Sequence, residues 1–163
     1  MKSIPFLFRM MAILAITLHI SSCVPGPEGP PGRDGNANVL ATTVTSSAWV
    51  FNNPSWVLAI PDPNITPAIM DFGAVVVYIG SGNGFTQLPL TFYTNPNFSS
   101  TIEVSSYVGG VTMFWTDSDL FQPTNPGVRT FKIVKFAGTF LQDNPDLDLS
   151  DYDAVKRRAN LLE

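Results

Sequence analysis

The chain has 163 residues, a formal net charge of −4, 45% hydrophobic and only 13% charged residues, and a single cysteine. That length accommodates one domain behind a leader, and the hydrophobic content argues against disorder. An acidic chain without a basic patch excludes nucleic acid as a partner, and a lone cysteine excludes both an intrachain disulfide and a thiolate zinc site.

Lys2 and Arg9 give the N-terminus a positive character, and Met10–Ile20 follows as a mostly apolar run. As a helix this run would span about 16 Å, whereas a bilayer core needs about 30 Å. It therefore reads as the apolar centre of a signal peptide, residues 1–22, and not as a permanent membrane span. The chain's one histidine, His19, lies inside it, so the domain beyond has no histidine for catalysis. Ile20-Ser21-Ser22-Cys23 resembles the lipobox of bacterial lipoproteins. The resemblance implies a diacylglyceryl group on the Cys23 sulfur, cleavage after Ser22 and acylation of the new amino terminus. Each buried CH₂ contributes about 0.8 kcal/mol, and two acyl chains already anchor stably where one is marginal.

Residues 23–38 form a tether. Glycine recurs every third position at Gly26, Gly29, Gly32 and Gly35, with Pro27, Pro30 and Pro31 between. Collagen needs that period because only glycine fits at the axis of three packed polyproline II chains. So few triplets should not hold a triple helix alone. The segment is read as a semi-rigid spacer reaching at most about 40 Å, with a homotrimeric stalk as the alternative if the domain itself self-associates.

From Val39 the pattern becomes β. Val39–Thr45 reads as a strand; Ser46-Ser47 lead into Trp49-Val50-Phe51, and Asn52-Asn53-Pro54 marks a turn. Trp56–Ile60 is a second strand, stopped by Pro61-Asp62-Pro63. Thr66-Pro67 suggests an N-cap followed by proline at the first position of a short helix, which Gly73 ends. Ala74–Ile79 is the most apolar strand and belongs inside a sheet. Phe85–Leu90 should return antiparallel to it, with Pro89 marking an irregular point, and Thr91–Tyr93 continue that return. Ser99–Val108 alternates, with Ile102, Val104, Ser106 and Val108 on one side; Gly109-Gly110 signals a hairpin into Val111–Thr116. A long loop, Asp117 to Gly127, leads to Thr130–Phe136, where Lys132 and Lys135 are expected on the outside. About seven strands with regular turn signals and no βαβ alternation predict an antiparallel β-sandwich over residues 39–140. Residues 141–163 read as an acidic linker and a helix. Ser150 is the expected N-cap, and Tyr152, Val155, Ala159 and Leu162 share one face that packs on the domain.

Candidate sites are few. Trp49, Trp56 and Trp115, with Tyr93 and Tyr107, could offer a stacking platform for sugars, although aromatics at strand spacing are more often core. The acidic run Asp143, Asp146, Asp148, Asp151 and Asp153 is the best calcium candidate, but it lacks the glycine and closing glutamate of an EF-hand loop; it is read as a solvated linker, and no metal or cofactor is expected. Asp117-Ser118-Asp119 is a weaker candidate. No catalytic residues stand out, so the chain is not expected to be an enzyme.

The lipobox, the GPEGPPGRDG run, the entry through Asn36-Ala37-Asn38-Val39 and the closing SDYDAVKRRANLL together resemble short collagen-like lipoproteins of bacterial envelopes. The resemblance implies an envelope location, the outer membrane first, and supplies no active site. Two functions follow as expectations: a binding or adhesion module for a glycan or another envelope protein, or a structural component trimerised through the stalk.

Overall fold

The computed structural model describes residues 38–81 and 84–161. The leader, Cys23, the four tether glycines, Gly82, Asn83 and Leu162 lie outside the described residues. The elements run β1 (Val39–Ser46), β2 (Val50–Asn52), β3 (Ser55–Pro61), α1 (Pro67–Phe72), β4 (Ala74–Ser81), β5 (Gly84–Gln87), β6 (Leu90–Asn95), β7 (Phe98–Tyr107), β8 (Gly110–Asp117), β9 (Arg129–Phe136), α2 (Gly138–Asp143) and α3 (Tyr152–Ala159).

The strands form two antiparallel sheets, a four-stranded one in the order β1-β9-β4-β5 and a five-stranded one in the order β2-β3-β8-β7-β6. Their facing sides supply the core between the sheets: Leu58 and Ile60 from β3, Val77 and Ile79 from β4, Ile102 from β7, Val111 and Met113 from β8, and Phe131 and Ile133 from β9. This is the predicted antiparallel β-sandwich with a C-terminal helix.

The strand expected over Phe85–Leu90 is in fact two strands in different sheets. β5 pairs with β4, and β6 pairs with β7. Between them the chain crosses from sheet to sheet at Leu88-Pro89, a cis peptide bond. Pro89 cannot donate to a ladder, so the break falls where the sequence lacks a donor, and buried Leu88 fills the corner.

The four-stranded sheet is covered on both faces. Along β4, Val77 and Ile79 face the other sheet, while Val76 and Tyr78 join Val39, Val134, Phe136, Phe140, Tyr152, Val155 and Ala159 in a second core. That double burial explains why Ala74–Ile79 is a continuous apolar run rather than an alternating one. It also corrects the placement of the β9 lysines. Lys132 is buried on the outer face, its Nζ 5.0 Å from the ring centres of both Phe85 and Tyr152. Lys135 is buried on the opposite, inner face against Asp62.

The C-terminal segment builds this second layer. Tyr78 donates its hydroxyl to the Leu149 carbonyl at 2.6 Å, and its ring meets that of Tyr152 edge-on at 5.1 Å. Full burial of a side chain such as Val155 contributes about 1.5–3 kcal/mol. The cap of α3 is Asp151, whose carboxylate accepts from the Ala154 amide at 3.0 Å. Ser150 does not serve, because its hydroxyl and amide both donate to Asp148 Oδ1, at 2.6 and 2.8 Å. Helix α2, not expected from the sequence, spans the boundary expected between sandwich and linker at residue 141: Ala137 offers no side-chain cap, and buried Phe140, stacked on Phe136 at 5.7 Å, holds it. Helix α1 forms as predicted, with the Thr66 hydroxyl accepting from the Ile69 amide and Pro67 opening it.

Candidate functional site

Two polar centres lie at opposite ends of β8. The first is built by the loop 118–128, which leads from β8 to β9. Loops this long without regular structure are usually functional or disordered, and this one is tied down at every stage. The Ser118 amide donates to the Ser99 carbonyl at 2.9 Å, and the Ser118 hydroxyl accepts from the Ser99 amide at 3.1 Å. The Phe121 amide donates to Asp119 Oδ1 at 3.1 Å, and the Gly127 amide to Asn125 Oδ1 at 2.8 Å. From beneath, the indole of Trp56 donates to the Pro123 carbonyl at 2.8 Å and that of Trp49 to the Gly127 carbonyl at 2.9 Å. Gly127 has φ +69, a backbone region that suits glycine. Leu120 also takes a left-handed conformation, φ 60, which costs a residue with a Cβ of order 1 kcal/mol and persists only where the surroundings impose it. Leu120 and Phe121 are nevertheless 64% and 75% exposed at the tip.

Between this loop and the ends of β7 to β9 lies a groove of about 410 Å³. Trp115 and Ser100 form its floor, and Asp117, Asp119, Gln122, Asn125 and Arg129 form its walls, with Phe98, Thr124 and Pro126 completing the lining. The size falls within the range of small-ligand sites. Ser100, almost wholly buried, donates its hydroxyl to Asp117 Oδ1 at 2.5 Å and fixes that carboxylate. The Arg129 guanidinium carbon sits 5.4 Å from the Trp115 ring centre, within cation–π range. A smaller depression of about 230 Å³ shares Asp117 and extends along Thr101, Glu103, Thr116 and Ser118 to Leu120.

The three tryptophans, a candidate stacking platform at a spacing more often found in core, divide as follows. Trp49 and Trp115 are core residues, 6% and 8% exposed, meeting edge-on at 6.2 Å. Trp56 is half-buried, with its ring 5.3 Å from that of Phe51. They do not form an open platform. Trp49 and Trp56 hold up the loop, and Trp115 contributes the groove floor. Of the two tyrosines, Tyr93 is the more exposed at 82%, on edge strand β6, with Tyr107 at 44% near the far end of β8. Ser100, Gln122, Asn125 and Arg129 had no sequence signal beyond the length and polarity of the loop. Among the described residues no group of three or more acidic, histidine or cysteine residues could hold a metal ion. In the acidic run, Asp148 receives Ser150, Asp151 caps α3, and Asp143 and Asp146 are exposed.

The second centre is a buried Lys135–Asp62 pair joined by the half-buried Thr42. Lys135 Nζ donates to Asp62 Oδ2 and to Thr42 Oγ1, both at 2.6 Å, and the Thr42 hydroxyl donates to Asp62 Oδ2 at 3.1 Å. Asp62 Oδ1 accepts from the amide of Asn64 at 3.0 Å and from its Nδ2 at 3.2 Å. Burial alone would raise the Asp62 carboxyl, but the hydrogen bonds from Lys135, Asn64 and Thr42, with the Lys135 charge, outweigh it and leave the pKa below the usual carboxylate value. The turn signal Pro61-Asp62-Pro63 marked a loop, and nothing in it pointed to a partner on β9.

No protein-family model, curated protein or solved structure matches this chain.

Proposed function

We propose that this is a lipid-anchored envelope protein that holds a β-sandwich binding module off the membrane, with the groove under loop 118–128 as its binding surface. The observation that carries the reading is the preorganised loop: two indole donors fix its carbonyls from below while polar side chains line the groove above. Preorganisation lowers the entropy lost on binding. The lining supports a neutral glycan as ligand. Carboxylate and amide groups such as Asp117, Asp119, Gln122 and Asn125 match the paired hydroxyls of a sugar, and two carboxylates against one guanidinium disfavour an anion. Leu120 and Phe121 add apolar contact at the rim. Cys23 would carry the lipid and residues 24–38 the spacing. Nothing in this reading requires catalysis.

The test is a glycan array probed with the detergent-solubilised full chain and with Asp119→Ala and Arg129→Ala chains. The reading predicts reproducible binding to neutral glycans, weakened at least about tenfold by either substitution, the loss of about 1.4 kcal/mol. Binding that both substitutions leave intact, or no binding to any glycan, removes the groove as a glycan site. The glycine period supports a second reading, a structural component trimerised through its stalk; native mass measurement giving trimers that dissociate when residues 24–36 are deleted would favour it.

A further inference from the structure

We propose that Lys135 and Asp62 are a modification site, condensing to an intramolecular amide that joins the two sheets. Lys135 stands on β9 of the four-stranded sheet, and Asp62 directly follows β3 of the five-stranded sheet. They are 1% and 2% exposed, with Nζ 2.6 Å from Oδ2. Asp62 is held on both sides of its carboxylate: its amide donates to the Gly109 carbonyl at 2.9 Å, and its carbonyl accepts from the Ile65 amide at 3.0 Å. The nucleophile and the acyl group are thus fixed at contact distance, where an intramolecular reaction avoids the entropy of encounter.

The chemistry is a dehydration. The first step moves one proton from Nζ to Oδ2 to give the neutral amine and carboxylic acid, an uphill step because the donors around Asp62 favour its ionised form. The amine lone pair then attacks Asp62 Cγ. Negative charge develops on Oδ1, where the Asn64 amide and Nδ2 already donate, the arrangement of an oxyanion hole. The Thr42 hydroxyl touches both Nζ and Oδ2 and relays a second amine proton to the departing oxygen. The Nζ–Cγ bond forms, the Cγ–Oδ2 bond breaks, and one water leaves. No oxidant, reductant or co-reactant is needed. The sole cysteine, Cys23, lies in the tether segment, so no disulfide can cross-link the sandwich, and this amide would.

The intact mass of the denatured full chain decides the matter, measured with Cys23→Ser so that lipid does not spread the mass. The expected result is the sequence mass less one water. Digestion should yield a branched peptide linking the segments that contain Asp62 and Lys135. Asp62→Ala and Lys135→Met chains should show no water loss, and Thr42→Val should lower the cross-linked fraction at a fixed time several-fold. A mass equal to that of the sequence overturns the proposal. So does a water loss mapped within one linear peptide, which would mark a cyclised aspartate, or a water loss that persists in Lys135→Met. An unchanged extent in Thr42→Val overturns the relay.

Discussion

Replacing Tyr78 by phenylalanine tests how the C-terminal layer is held. Tyr78 is fully buried, and its hydroxyl is the donor for the Leu149 carbonyl at 2.6 Å. Tyr78→Phe keeps the ring and its edge-on contact with Tyr152 but leaves that carbonyl without this donor, a cost of about 1–3 kcal/mol. A second signature comes from pH. Burial pushes the Tyr78 phenol far above its ordinary value, and Tyr152, Asp148 and Asp151 add to the effect. In the unfolded chain the phenol ionises near pH 10, while in the folded chain it stays neutral. A group raised in this way contributes stability that is present below about pH 10 and lost as pH rises, amounting to about 1.4 kcal/mol by pH 11. Urea unfolding of the two proteins at pH 8 and pH 11 should therefore show the wild-type advantage shrinking by about that amount. A neutral Tyr78→Phe at pH 8, or an advantage that stays constant or grows at pH 11, would refute the described packing of residues 144–161 on the sheet.

Other substitutions probe the sandwich and the loop. A Cβ at Gly73 would lie 2.1 Å from the Phe136 carbonyl oxygen, a backbone atom, whereas one at Gly84 would meet nothing within 4 Å. Gly73→Ala should cost at least about 2 kcal/mol in thermal unfolding and Gly84→Ala less than about 0.5 kcal/mol. Trp56→Phe removes the indole donor to Pro123 and should cost about 1 kcal/mol. Hydrogen exchange should report faster exchange in residues 118–128 with the rest of the sandwich unchanged; slowed or unaltered exchange would show that the indole does not hold the loop.

Much of the sandwich was legible because burial leaves a period-2 trace. Ser99–Val108 showed it, and β7 buries Ile102 and turns Glu103 outward. The trace failed where a strand is buried on both faces. β9 carries its lysines three residues apart, on opposite faces, and both are buried, Lys132 among aromatic rings and Lys135 against a carboxylate. Such residues look like surface residues until their partners, distant in sequence, are known. Pro89 signalled irregularity, but whether a proline bends a strand or sends it to another sheet depends on what each half pairs with. Aromatics at strand spacing are more often core than platform, and Trp49 and Trp115 are core; what the pattern does not show is the role of the Trp49 and Trp56 N–H groups, which depends on carbonyls more than sixty residues away. Helix α2 left no trace because tertiary contact, through Phe140, forms it without a cap.

The proposed membrane anchoring is tested most directly at Cys23. Cells producing the full chain should be fed an alkyne-bearing fatty acid and then fractionated, with the Cys23→Ser chain beside it. The account predicts label on the wild-type chain in the membrane fraction, and an unlabelled Cys23→Ser chain that no longer sediments with membranes. An unlabelled wild-type chain, or a Cys23→Ser chain still bound to the membrane, would contradict it.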